Sequence, residues 1–117
     1  MNILKSTEGL KAADIYSMTK GSGILKMQDA KGEVLNVAKY ALYTDVNQKG
    51  EEQEVLAVET VQGVRYATNS KTFIRNFFDI LDTFRGMGGE FGMAFLVGSR
   101  TSKNGREYLC CDIGYSA

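Results

Sequence analysis

The order in which the hydrophobic period changes along the chain constrains its fold more than any other feature. Glu33 to Val46 is rich in β-branched and aromatic residues and runs into the turn-like Asn47-Gln48-Lys49-Gly50. Glu54 to Thr60 continues in the same manner, and a turn at Gln62-Gly63 leads into Val64 to Thr68. The period then switches to that of a helix. Over Ser70 to Arg85, the residues Phe73, Phe77, Ile80, Leu81 and Phe84 form one apolar stripe, with Asn69 or Ser70 as cap and Gly86 as stop. Beyond the glycine-rich connector Gly86 to Gly89, Phe91 to Ser99 and Arg106 to Ile113 read as strands. The turn between them, Thr101 to Gly105, carries Asn-Gly, the strongest short hairpin signal.

Strand, strand, strand, helix, strand, strand predicts a β-rich α+β fold, a five-stranded OB-like barrel plugged by its helix. The first strand does not keep one parity. Leu35, Val37 and Tyr43 lie on one face and Tyr40, Leu42 and Val46 on the other, as expected of a bulge or of a bent strand covered on both sides. Ahead of the barrel, Leu10 to Met18 has helical spacing, with Ser6 or Thr7 as cap and Gly21-Ser22-Gly23 as stop. Gly21 to Lys31 shows no period and reads as a mobile basic loop or a second short helical turn. A chain of 117 residues supports one core. The expected organisation is therefore a single domain, with the helix and basic loop in residues 1–32 and the barrel in 33–117.

Several kinds of chemistry lack their residues. The chain has no histidine, the commonest metal ligand and neutral-pH base. Cys110 and Cys111 are adjacent in a strand, so they point to opposite faces, one buried and one half-exposed, as free thiols of a reducing compartment. Gly86-Met87-Gly88-Gly89 lacks the Lys-Ser/Thr of a phosphate loop and follows a helix, not a strand. Glu51, Glu52 and Glu54 lack the spaced oxygens of a calcium loop. No enzymatic activity, metal, cofactor or small-molecule substrate is expected. The start of the chain has no apolar leader, and the uncharged run Phe91 to Ser99 is far short of the roughly 18 residues of a membrane span. A cytoplasmic protein with no membrane partner is the expectation.

Net charge is zero, with 14 basic and 14 acidic residues, which disfavours broad duplex binding through a basic surface. The balance is uneven along the chain. Residues 41–60 carry one Lys against five acids, so the rest of the chain is net positive. Binding of single strands needs cations for phosphates and aromatic faces for bases. The candidates are Lys39, Tyr40 and Tyr43 in the first strand, Arg65 and Tyr66 in the third, and Arg100, Lys103, Arg106 and Tyr108 around the last hairpin. Tyr43 and Tyr66 lead among the aromatics. The hairpin cations gain weight together, because a tight turn brings their strands side by side. The acidic turn would repel phosphate if it faced the same groove.

Three segments, Ala41-Leu42-Tyr43-Thr44-Asp45-Val46-Asn47, Ala67 to Arg75 (ATNSKTFIR) and Ser102 to Tyr108 (SKNGREY), resemble small single-stranded-DNA-binding proteins of bacteriophages and prophages of Gram-positive bacteria. The resemblance implies coating of single-stranded DNA without sequence preference, in DNA replication or DNA recombination within a bacterial host cell, with homo-oligomerisation open. The chain ends Ile113-Gly114-Tyr115-Ser116-Ala117, without the acidic tail by which bacterial single-strand-binding proteins commonly recruit partners. The alternative is a protein-interaction module, an assembly or host-inhibitor protein that binds no nucleic acid.

Overall fold

A computed structural model of the chain describes residues 1–87 and 93–114. It is a curled half-barrel of β-sheet with two helices, in the order β1 (Asn2–Ser6), α1 (Ala12–Thr19), β2 (Leu25–Lys26), a 3-10 turn (Met27–Ala30), β3 (Val34–Val46), β4 (Glu52–Thr60), β5 (Arg65–Thr68), α2 (Lys71–Met87), β6 (Ala94–Thr101) and β7 (Glu107–Ile113). The five strands read from the sequence are β3 to β7. Two more, β1 and β2, carried no readable pattern: β1 is five residues with four of them exposed, and β2 is only two residues long.

Hydrogen bonding orders the strands β2-β5-β4-β3-β6-β7, with β1 also on β3. β3 is long enough to take two partners on one edge, β6 beside Val34 to Asn36 and β1 beside Ala41 to Thr44. The edge strands β2 and β7 do not pair with each other, so the half-barrel stays open between them.

The irregular parity of β3 has a structural cause. Its register on β4 slips between Val37 and Lys39, a bulge at Ala38. Past the bulge the faces exchange. Leu35, Val37, Tyr40 and Leu42 all enter the main core, whereas Ala41 and Tyr43 face the other way. The main core joins these to Leu56 and Val58 of β4, Phe95 and Val97 of β6, Cys111 of β7 and the buried face of α2. Phe77 of α2 stacks on Phe95 with centroids 4.2 Å apart and meets Tyr40 edge-on at 5.5 Å. Burial of each such ring contributes roughly 1.5–3 kcal/mol. The apolar face of α2 is wider than the expected stripe, because Ile74 and Phe78 are buried beside Phe73, Phe77 and Leu81.

Several boundaries differ from expectation. Ser70 Oγ accepts the Phe73 N–H and caps α2, but the helix runs past Gly86 to Met87. Helix α1 begins only after Lys11, where the Asp14 carboxylate accepts the Lys11 N–H. Neither Ser6 nor Thr7 caps it. Thr7 Oγ1 instead accepts the Tyr40 N–H at 2.9 Å, because Thr7 follows β1 along the β3 edge, four residues ahead of the helix start at Lys11. Segment 21–31 contains a helical turn, with Met27 and Ala30 buried, in place of a mobile loop. β4 begins at Glu52, two residues before the expected start at Glu54. Both cysteines are buried, at 9% and 7% exposure, so the half-exposed thiol is not found, and burial pushes the Cys111 thiol up to about 12. The N-terminal part of the strand expected from Phe91, including Phe91 itself, lies outside the described residues.

Candidate nucleic-acid interface

Lys39, Tyr43 and Arg65 lie on the outer face of β3, β4 and β5, Tyr40 and Tyr66 on the inner face of the same strands, and the other four candidates on the β6–β7 hairpin. The outer face is the first region. Met18 of α1 packs there with Ala41, Tyr43 and Ala57, flanked by Leu10, Ile15 and Val55. Tyr43 is 4% exposed, and burial pushes its phenol above the ordinary value. A ring so enclosed offers no face to a base, which corrects the expectation that Tyr43 leads among the stacking residues. Tyr40 is excluded in the same way from the opposite side of the strand. It is 2% exposed in the main core, and its hydroxyl accepts a hydrogen bond from Arg85 Nη2 at 3.0 Å.

The cations of this face are engaged. Register places Lys39 opposite Glu59 and Glu59 opposite Arg65, one rung across three strands. Arg65 Nε lies 2.8 Å from Glu59 Oε1, and Lys39 Nζ lies 3.5 Å from Glu59 Oε2 and 2.9 Å from Asp14 Oδ1 on α1. The hydrogen bond from Lys39 holds the Asp14 carboxyl below the ordinary 3.8 and raises Lys39 above the ordinary 10.5. A phosphate would have to displace these carboxylates. Tyr66 pairs with Val58 and is half-buried against the main core.

The second region is the β6–β7 hairpin. Lys103, Asn104 and Gly105 form its loop. Gly105 has a φ of 78°, and the Ser102 N–H donates to the Arg106 carbonyl at 2.8 Å, which closes the turn. Arg100 stands directly opposite Tyr108. Arg100, Lys103 and Arg106 are exposed, and among the described residues no ion pair engages them. Tyr108 is 37% exposed. Glu107, the acid nearest this turn, is bound by Lys31, and the hydrogen bond from Lys31 holds its carboxyl below the ordinary 4.5.

A depression of about 890 Å³ between the β3–β4 hairpin and α2 does not include the β6–β7 hairpin. Five carboxylates line it, those of Glu51, Glu52, Glu54, Asp79 and Asp82, against Lys5, Lys71 and Arg75. The acidic turn thus faces α2, and the groove repels phosphate. Among the described residues no cluster of His, Cys, Asp and Glu could hold a metal ion, and no helix is long and apolar enough to cross a membrane.

Sequence reasoning missed Glu59 and Asp14, which neutralise the first region. Glu59 was readable, because a turn centred on Gln62-Gly63 sets it opposite Arg65. Asp14 was not, because its role depends on where α1 docks. No protein-family model matches this chain, and comparison with curated proteins and with solved structures finds no match.

Proposed function

We propose that this protein binds single-stranded DNA with little sequence preference, and that the β6–β7 hairpin is its principal contact. One observation carries the reading: Arg100, Lys103 and Arg106 are exposed and unpaired among the described residues, beside the exposed Tyr108, whereas four other candidates are buried or engaged. Cations neutralise phosphates and an exposed ring stacks a base, which together bind a strand without reading its sequence. Strands β3 to β7 and helix α2 follow the element order of an OB-fold, a partly open barrel whose loop between the last two strands is one of its ligand-binding loops. On this reading the protein coats single strands in phage-type replication or recombination, with no catalysis, no cofactor and open self-association.

The test is fluorescence anisotropy of a labelled thirty-nucleotide oligo-dT, with the duplex as control, across a salt series. Three phosphate contacts give a log–log salt slope of about −2 on a single strand. Absence of binding at low salt would refute the proposal and turn the search toward a protein partner, for which Tyr16, Val46 and Val61 are large exposed apolar side chains.

A further inference from the structure

Between the β2–β5 edge and β7 lie two neighbouring depressions, about 370 and 560 Å³, that share Gln28, Thr68, Asn69 and Leu109 and together form the β5–β7 cleft. Cavities of this size are typical of sites for small organic groups. Its chemistry differs from that of the neighbouring hairpin. Leu109, partly buried against the main core, supplies an apolar surface, and Tyr108 reaches the rim. The charges in the lining cancel, Lys26 and Lys31 against Asp29 and Glu107, with Lys31 bound to Glu107. A phosphate gains nothing from such a lining, whereas a neutral group does not meet an excess of either sign.

The lining also holds the hydroxyls of Thr68 and Ser70, which accept the Ser70 and Phe73 N–H groups, and the carboxamides of Gln28 and Asn69. Asn69 Nδ2 donates to Gln53 Oε1 at 3.2 Å, which leaves its carbonyl oxygen and second N–H to other partners. The Gln28 side chain is exposed and forms no hydrogen bond among the described residues. Carboxamides present donor and acceptor together, the pattern that matches the edge of a nucleobase. The cleft also shares Tyr108 with the proposed phosphate-binding hairpin, so one strand can reach both.

We infer that the β5–β7 cleft is a nucleobase subsite, in which Gln28 and Asn69 hydrogen-bond a base of the strand whose phosphates lie on the β6–β7 hairpin. The inference rests on the single-strand-binding reading and adds to it a second base contact: the hairpin holds phosphates and stacks one base on Tyr108, and the cleft hydrogen-bonds another.

The experiment compares a thirty-nucleotide oligo-dT with an abasic thirty-mer of equal phosphate count, using the wild-type protein and Gln28→Ala/Asn69→Ala. Both side chains are exposed, and far-UV circular dichroism checks that the variant folds. The variant is expected to bind oligo-dT about 2- to 10-fold more weakly per lost hydrogen bond, and the abasic strand as tightly as wild type does. Equal weakening on both strands, or none on either, overturns the cleft while hairpin binding stands. If the wild-type protein binds neither strand, the single-strand reading falls and takes the cleft with it.

Discussion

Two regions of this molecule carry the same residue types on the same kind of element, and only one of them is available to a ligand. On the outer face of β3 to β5, a tyrosine and two cations sit on neighbouring strands, but α1 covers Tyr43, and Glu59 and Asp14 engage Lys39 and Arg65. On the β6–β7 hairpin, a tyrosine and three cations stand at the strand ends and the loop, where Tyr108 keeps 37% of its surface exposed and, among the described residues, no carboxylate pairs with the cations. Composition is shared, and position decides the role. A strand flanked on both sides acquires partners from two neighbours, whereas β7 is an edge strand and register gives Arg100 only Tyr108 across the hairpin.

Exchanging tyrosine for alanine in each region breaks or sharpens this comparison most directly. Tyr43→Ala removes a ring that is 4% exposed, and is expected to lower stability by roughly 3 kcal/mol in urea denaturation, with affinity per folded molecule unchanged. Tyr108→Ala should do the reverse, costing about 1–3 kcal/mol of binding and no more than about 0.5 kcal/mol of stability. If Tyr43→Ala weakens binding at an equal folded fraction, the two regions are not distinct.

The cations give a smaller contrast, read in salt dependence and not in affinity at one condition. Arg100→Ala/Lys103→Ala/Arg106→Ala is expected to flatten a log–log slope of about −2 nearly to zero. Lys39→Ala should leave that slope as in the wild type, because Lys39 already faces Asp14 and Glu59. A loss of slope in Lys39→Ala would mean that phosphate does displace the carboxylates.

The same contrast marks what could be read from the sequence. Strands β3 to β7 were legible as β-branched and aromatic runs bounded by turns, α2 as an apolar stripe of helical period, and the last hairpin because Asn104-Gly105 fixes a turn locally. The broken parity of β3 pointed to a bulge or a bent strand, but neither to Ala38 as its place nor to its effect, which is to send Tyr40 to the main core and leave Tyr43 on the outer face. β1 and β2 were not legible. They are short, and the partner edge, not their own composition, makes them strands. Burial of Tyr43 was not legible either, since it depends on the docking of α1, whose contact residues Leu10, Ile15 and Met18 specify a helix face but not its destination.

Docking of α1 leads to the smallest of the expected effects, one that depends on pH. Ion pairs join α1 and the residue after it to β3, Asp14 to Lys39 at 2.9 Å and Lys20 to Asp45 at 2.8 Å. Hydrogen bonds from Lys39 and Lys20 hold the two carboxyls below the ordinary 3.8. A carboxyl lowered in the folded state binds its proton more weakly there than in the unfolded chain, so its contribution is complete above 3.8 and disappears as pH falls through the folded value. The lysines are raised, so their contribution is lost only as pH climbs past their folded values, beyond the ordinary 10.5. Asp14→Asn is therefore expected to be less stable than wild type near neutrality, with the two urea midpoints converging as pH is lowered past 3.8. Both pairs are solvent-exposed, so the gap is small and shrinks further in salt. A gap that stays constant through the acid range would mean that Asp14 acts through its hydrogen bond to the Lys11 N–H, which asparagine can imitate only in part, and not through its charge on Lys39.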